Sequence, residues 1–263
     1  MQVEVLASVM NEEAEALCKR MNLSTDAVVI NQCGEDGEQE LFYNGHRIRF
    51  YSYAERGVGK SRNHAIDHAQ GNILLFSDAD IVYENGYGEA IAAEFEKMPQ
   101  ADMLLFQIGV AKERATYENT GYKKVGLLNC GRYGAVSFAI KREALIKSGE
   151  RFSLLFGGGA KYSNGEDSLF LQHLIQKGLQ VYTSPVCIGR EDAGKSSWFT
   201  GYHEKFFHDR GVLYHFLYGK LAKPLSLRFL LAHKALFCKD VSVMKAYGYM
   251  KDGIREGKSI PFE

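Results

Sequence analysis

Asp78 and Asp80 stand two residues apart in "LLFSDADIVY", residues 74–83, where an apolar run stops. Ile73 to Phe76 read as a buried strand, and such a strand has no reason of its own to end in two carboxylates beside the core. If the backbone turns there, both side chains reach one hard divalent cation. Mg²⁺ and Mn²⁺ prefer oxygen donors, and Mg²⁺ commonly combines one or two carboxylates with substrate phosphates. A cation so held neutralises a diphosphate and improves it as a leaving group. A solvated turn after a strand is the plain alternative for the pair taken alone.

Two other segments bear on the same chemistry. "RGVGKSRN", Arg56 to Asn63, comes just before the strand. Its glycines allow close backbone approach, and a helix starting there favours anions at its N-terminus. Lys60 and Arg62 add positive charge, but the spacing is not that of a Walker A loop. Gly165-Glu166-Asp167 opens a later helix after the glycine-rich stretch 157–165. A carboxylate there can serve as general base toward a hydroxyl. The alternative is that Asp167 caps the helix.

The surrounding pattern supplies elements to position these groups. Val3 to Met10 reads as a strand, and Glu12 to Arg20 sets Ala14, Leu17 and Cys18 at helical spacing. Thr25 to Cys33 holds a second strand ending near Gln32. "GHRIRFYSY" alternates Ile48 and Phe50 with Arg47 and Arg49, which predicts a third strand with the arginines facing outward. A helix follows, with Ser61 able to cap it, Ala65, Ile66 and Ala69 on one face, and Gly71 as its stop. Strand, helix, strand, strand, helix, strand is the rhythm of an α/β sheet with much parallel pairing. In such sheets ligands sit beyond the carboxyl ends of the strands, which is where Asp78 and Asp80 fall. Farther on, "GAVSFAIKREALIKSG" predicts a strand running into a helix, and Gly157 to Gly159 a flexible loop. "NGEDSLFLQHLIQKG" predicts a helix with Leu169, Phe170, His173 and Leu174 along one stripe, and "LQVYTSP" a late strand.

Composition sets the bounds. Hydrophobic residues make up 46% of the 263 and charged residues 24%, enough for a sizeable core. Lys plus Arg and Asp plus Glu are 32 each, so nothing draws the chain as a whole to nucleic acid. Five cysteines without a C-x-x-C pair argue against a zinc site and a disulfide framework, and make a reducing, cytoplasmic setting the default. "MQVEVLASVMNEE" carries Glu4 and Glu12 and does not read as a signal peptide. No stretch nears ~18 uncharged apolar residues, so no transmembrane helix is expected. Residues 201–263 differ from the rest. They hold eleven Lys/Arg against six Asp/Glu, a net of +5 that leaves −5 on residues 1–200, together with eleven Phe/Tyr. This seam predicts a basic, aromatic helical extension over 201–263. Within it, Pro224 to Met250 reads as a basic amphipathic helix able to lie on an anionic membrane. The alternatives are packing on the sheet or in a homodimer interface.

Taken in order, these elements resemble those of the family 2 glycosyltransferases with the GT-A fold. The matching pieces are the first strand ending before Asn11-Glu12, "GVGKSRNHAI", the strand-terminal D-x-D, and "FAIKREALIKSGERF" ahead of the "GED" helix. The resemblance spans roughly residues 1–200. It implies an α/β, Rossmann-like, mostly parallel sheet flanked by helices, with a nucleotide-sugar half (1–110) and an acceptor half (111–200). It implies inverting transfer of one sugar from a nucleotide-diphospho-sugar, expected to be a UDP-sugar, to a hydroxyl of a glycan or lipid-linked acceptor. Mn²⁺ or Mg²⁺ would assist, in an enzyme of the bacterial surface-polysaccharide type. Ser8 and Met10 fall where the family contacts the nucleotide base, with Met10 in place of a frequent aromatic. Asn31 or Gln32 falls where the family often has an aspartate for the same purpose. Arg62 matches a basic residue near the donor. Asp78 and Asp80 match the metal-binding D-x-D, Asp80 being preferred as direct ligand. Asp167 matches the general base, and Glu166 beside it is assigned to the acceptor.

His203 and His208 are candidates for a further metal ligand, the alternative being ordinary histidines in an aromatic tail. The Q-x-x-R-W motif of processive synthases is missing, and Trp198 lacks that frame, which points to a single-sugar transferase. The cysteine usage and the basic tail together suggest a cytoplasmic enzyme with peripheral contact at the inner face of the membrane. Two other readings stay open: a sugar-1-phosphate nucleotidyltransferase, and a non-catalytic nucleotide-sugar or glycan-binding module. The first would carry a basic glycine-rich loop after the first strand, where this chain has the acidic "VMNEEAEAL". Three charged elements converging on one sheet edge count against the second.

Overall fold

A computed structural model describes residues 1–110, 117–192 and 201–261. Strands and helices alternate through the first half of the chain: β1 (Val3–Met10), α1 (Ala14–Met21), β2 (Asp26–Gln32), β3 (Gly37–Tyr43), β4 (His46–Tyr53), α2 (Val58–His68), β5 (Ile73–Asp78), β6 (Ile81–Tyr83), α3 (Tyr87–Lys97) and β7 (Met103–Gly109). The second half continues with β8 (Phe138–Lys141), α4 (Arg142–Ser148), α5 (Glu166–Gln176) and β9 (Val181–Glu191), then closes with α6 (Glu204–Tyr218), α7 (Ala222–Phe237) and α8 (Val243–Gly257).

The nine strands of the described residues form one sheet, in the order β3-β4-β2-β1-β5-β8-β7-β9-β6. β1, β2, β4, β5, β7 and β9 run one way and β3, β6 and β8 the other, so the sheet is mostly parallel, as expected. The period of two along the central strands sorts their side chains into two cores. Val5, Ala7, Val29 and Leu75 enter one core with α1 and α3. Leu6, Val28, Leu74 and Phe76 enter the other with α2, α4 and α5. Apolar residues at successive positions, rather than alternation, are what a strand covered on both faces requires.

Departures from the sequence reading have physical causes. β3 has no counterpart in that reading. It is the outer half of a hairpin with β4, turned by Asn44 and Gly45 at φ +50° and +82°, the twist that two-residue hairpin loops favour. As an edge strand β3 is mostly exposed and polar, so it lacks the apolar signature of its neighbours. Arg49 does not face outward. It is buried against Glu4, donates to the His68 carbonyl at 2.6 Å, and lies under α2, because this sheet has no solvent face at β4. Ser61 sits inside α2 and its Oγ donates to the Ile30 carbonyl at 3.4 Å; Gly57 holds the cap position. Strand β9 runs past Pro185 to Glu191, because the irregular register against β7 between Thr183 and Cys187 absorbs the proline.

The stretch Pro224 to Met250, expected as one amphipathic helix, is divided between α7 and α8. The chain turns after Phe237, whose carbonyl accepts from Asp240 and Val241 N–H at 2.9 and 3.0 Å, and Ser242 caps α8. α6 and α8 meet backbone to backbone: a Cβ at Gly211 would overlap the Met250 carbonyl, and one at Gly253 the His208 carbonyl. The helices fasten to the sheet domain through Asp209, which accepts from Ser163 N and Oγ at 2.9 Å each, and through Gln172, whose Nε2 donates to the Leu217 carbonyl at 2.6 Å. The expected segment boundaries, at 110/111 and 200/201, adjoin residues outside the described ones.

Candidate active site

β2, β1 and β5 are parallel neighbours, so their carboxyl ends emerge on one edge of the sheet. The register sets Ser8 opposite Asp78 and Met10 opposite Gln32. After Asp78 the chain turns through Ala79-Asp80 into β6, and Asp192 N donates to the Asp80 carbonyl at 2.7 Å. The result is a cleft of about 480 Å³ whose lining includes Ser8, Met10, Gln32, Arg62, Asp78, Asp80, Glu166 and Asp167. Of the nine residues assigned to the nucleotide sugar, the metal, the acceptor and the base, Asn31 is missing from the lining. Asn31 is buried beneath it, where its Oδ1 accepts from Glu12 N at 3.0 Å and holds the turn after β1. Gln32 does similar work at the rim, its Oε1 accepting from Gly57 N at 2.7 Å.

Arg62 ties the two halves of the site together. It rises from α2 with 4% of its surface exposed. Nη2 donates to Asp78 Oδ1 at 3.2 Å and Nη1 to Glu166 Oε1 at 2.9 Å. Its guanidinium lies 5.3 Å from the Phe152 ring, which stacks on Phe170 at 3.9 Å in the core below. Burial alone would lower its pKa, but the carboxylates of Asp78, Glu166 and Asp167 outweigh burial and hold it above the ordinary value. Arg62 is therefore a fixed cation spanning 104 residues of sequence.

Asp167 is the second residue of α5. Gly165, at φ +117°, occupies the cap position, so the capping role considered for Asp167 is not the one it has. Its Oδ1 accepts from Ser168 N at 2.8 Å. Burial, then the neighbouring charge of Glu166, push its pKa from 3.8 up to about 7, with Arg62 pulling the other way. The carboxyl still opens on solvent space, on two sides. Besides the cleft at the strand ends it lines a second cavity of about 430 Å³, closed by α6. Gly134, Ser163, Asn164, Gly165 and Asp167 are common to both. A carboxyl with a pKa of about 7 thus stands in the wall between two cavities.

The first cleft is acidic. Glu12, Asp78, Asp80, Glu166, Asp167 and Glu191 line it against Arg62. Two unit charges 4 Å apart still interact by about 4 kcal/mol at an effective dielectric of 20, so a bare diphosphate would be opposed there. A divalent cation on Asp78 and Asp80 would cancel the charge of that pair, and the donor set is the hard-oxygen kind that Mg²⁺ and Mn²⁺ take. Among the described residues no group of three or more His, Cys, Asp and Glu is gathered as a metal site. A pair of aspartates completed by substrate oxygens needs no such group. His203 and His208 are not brought to the aspartates. His203 caps α6, its Nδ1 accepting from Phe206 N, and lines the second cavity. His208 lies 3.2 Å from Glu256.

Two expectations about the basic segment change. Lys60 is exposed and paired with Glu55 at 3.2 Å, away from the cleft. The N-terminus of α2 is closed by the chain itself: Val58 N donates to the Gly158 carbonyl at 2.9 Å, and Gly159 packs on Gly57. The loop at Gly157 to Gly159 is thus pinned rather than loose. Sequence reasoning missed Glu191, which the β6–β9 pairing sets beside Ile81, and Arg132 and Arg210 in the second cavity. Glu191 ends a strand, which was an available signal; nothing local marks the two arginines. Trp198 lies outside the described residues.

The sequence profile described as glycosyl transferase family 2 matches residues 5–147. No curated protein matches the chain. Among solved structures the chain is similar to S. aureus TarS 1–349 in complex with UDP-GlcNAc, with a TM-score of 0.62 at 15% identity, over 91% of this chain and 74% of that one. It is also similar to S. aureus TarS 1–349 in complex with UDP, with a TM-score of 0.58 at 16% identity and the same coverage, 91% and 74%. At these identities the likeness concerns the fold, which is the GT-A arrangement of a mostly parallel sheet between helices.

Proposed function

The chain belongs to glycosyl transferase family 2, and on that premise we propose that it moves one sugar from a UDP-sugar to an acceptor hydroxyl with inversion at the anomeric carbon. The observation that carries this reading is Asp167, its pKa pushed up to about 7, in the wall shared by the acidic cleft and the second cavity. The donor lies in the cleft at the ends of β1, β2 and β5. TarS complexes with UDP-GlcNAc and UDP support a uridine nucleotide in a fold of this kind. Ser8 and Met10 face the base and ribose, with Gln32 at the rim.

Asp78 and Asp80 would hold Mn²⁺ or Mg²⁺, and the ion when bound supplies positive charge to the leaving diphosphate. Arg62 holds Asp78 and Glu166 in place by its two hydrogen bonds. The acceptor approaches from the second cavity. Its hydroxyl gives its proton to the Asp167 carboxylate while the oxygen forms a bond to the anomeric carbon. The bond from that carbon to the diphosphate breaks, and the nucleoside diphosphate departs with the electron pair. Attack from the face opposite the leaving group inverts the configuration. A pKa near neutrality suits a base that must be ionised yet still basic.

The proposal extends to α7. No helix of the described residues is long and apolar enough to cross a membrane. Yet α7 exposes Leu227, Leu231 and Leu236 beside Lys223, Arg228 and Lys234, and has no acidic residue. That charge and apolar surface suit the anionic cytoplasmic face of a membrane, where a lipid-linked acceptor would be presented. The test of the main reading is a thermal-shift panel of nucleotide sugars with Mn²⁺, followed by product analysis. A donor at 100 times its Kd stabilises by about 2.7 kcal/mol. Stabilisation by one UDP-sugar and an inverted product are expected; a panel in which no nucleotide sugar stabilises the protein refutes the reading.

A further inference from the structure

We propose that the second cavity seats an acceptor carrying an oxyanion, a phosphate or a carboxylate, close to the hydroxyl that receives the sugar; this rests on the transfer reading above. The two spaces joined at Asp167 differ in sign. Among the described residues, the cleft is lined by six carboxylates and one guanidinium. The cavity presents Arg132, Lys205 and Arg210 with His203, and Asp167 is its one carboxylate among the described residues. Lys205 is paired with Asp209 at 2.6 Å. Among the described residues, Arg132 and Arg210 have no carboxylate partner.

Arg210 is built into its place. Its guanidinium carbon lies 5.0 Å from the Phe206 ring and 4.6 Å from the Phe229 ring. Its Nε is buried with no hydrogen-bond partner. The two ring contacts fix the planar fork where Arg210 lines the cavity. Guanidinium forks match carboxylate and phosphate oxygens two at a time. Tyr218 adds a hydroxyl: burial pushes its pKa up to about 12, so it stays protonated and can donate. A neutral glycan gains less than an anionic one from guanidiniums that lack a carboxylate partner. An anionic one is drawn into the basic cavity and kept from the acidic cleft, which leaves its hydroxyl at the shared wall by Asp167. Of the cavity's basic residues, Lys205 and Arg210 come from α6, beyond residues 5–147 matched by the family profile, and Arg132 comes from within that span.

The deciding experiment reads binding apart from turnover. With the enzyme saturated by UDP and Mn²⁺, glucose 6-phosphate, glucuronate and glucose are titrated by ligand-observed NMR. We expect the anionic sugars to bind about tenfold or more tightly than glucose, and Arg132→Gln and Arg210→Gln each to weaken them by about tenfold. Salt at about 0.5 M should act in the same direction. Equal affinity for all three sugars, or variants that leave anion affinity unchanged, overturns the inference. UDP affinity reports whether each variant is folded, and if Arg210→Gln loses it, Arg132→Gln on the exposed rim carries the decision. The stronger of the two anionic probes identifies the oxyanion. Matched neutral and anionic oligosaccharide acceptors then separate the two readings. Anion binding without turnover of any nucleotide sugar upholds the cavity and sinks the transferase reading. Turnover with no preference for the anionic acceptor does the reverse.

Discussion

Replacing Asp167 with Asn removes one ionisable oxygen and little else. The amide oxygen can accept from Ser168 N as the carboxylate does at 2.8 Å, and the helix cap, Gly165, is untouched. The electrostatics change more. Burial first, and the Glu166 charge second, raise Asp167 from 3.8 to about 7. Three units at about 1.36 kcal/mol each bound the cost of ionising it in place at about 4 kcal/mol. Because the carboxyl opens on two cavities, solvent screening cuts this to roughly 2 kcal/mol. A raised carboxyl pKa means that the folded state holds the proton more tightly than the unfolded state. This carboxyl therefore costs nothing below about pH 4, costs progressively more as pH rises to about 7, and costs a constant amount above. Asp167→Asn should match wild type in urea denaturation near pH 4 and exceed it by roughly 2 kcal/mol near pH 8. Activity should move the other way. kcat should fall by about 10²–10⁴-fold with donor affinity retained, and the acid limb of kcat/KM, expected near pH 7, should vanish. Near wild-type turnover, or an unchanged acid limb, refutes Asp167 as the base. Equal stability of the two proteins at high pH refutes the burial account of its raised pKa.

Other perturbations probe the supporting parts. Asp80→Ala should abolish Mn²⁺-dependent binding of the nucleotide sugar in calorimetry while leaving the melting temperature within a few degrees, and unchanged Mn²⁺ dependence would reject the aspartate pair as the metal site. Arg62→Met strands Glu166 and Asp78 without their shared cation and should cost about 3–5 kcal/mol in chemical denaturation. Adding Glu166→Gln should recover part of that loss; a single-variant loss below about 1 kcal/mol would show that solvent already screens these carboxylates. The outer face of α7 should carry the protein to the top of a gradient with anionic but not neutral liposomes at low salt, and Leu227→Ser with Leu231→Ser should abolish it. Failure to float, or dimerisation through the same face in sedimentation, rejects the membrane contact.

Local chemistry was legible in the chain wherever a group acts through its immediate neighbours. The run Ile73 to Phe76 could only be a buried strand, and the carboxylates ending it could be read as a site because strand ends are where α/β sheets bind. The same held for "GED" opening a helix after a glycine-rich stretch, and for β1, β2 and α2. The hairpin of β3 was announced by Asn44-Gly45, but its exposed strand carries no apolar pattern, so hydrophobic periodicity passes over it. Arg49 shows the limit of alternation: which side of a strand meets water depends on whether a helix covers it. Other features were decided by tertiary structure alone. Arg62 could be seen as basic, but its hydrogen bonds to Asp78 and to Glu166, 104 residues away, come from the packing of α2 on β1 and β2, which sets Arg62 beside the end of β5 and the start of α5. The raised pKa of Asp167 is set by burial and by the charge beside it, neither of which exists in the extended chain. Glu191 reaches the cleft only through the pairing of β9 with β6, and the basic cavity exists only because α6 folds back over the start of α5. Spacing along a chain records what neighbours do to one another; charge balance and proton affinity in a cleft depend on groups that only folding brings together.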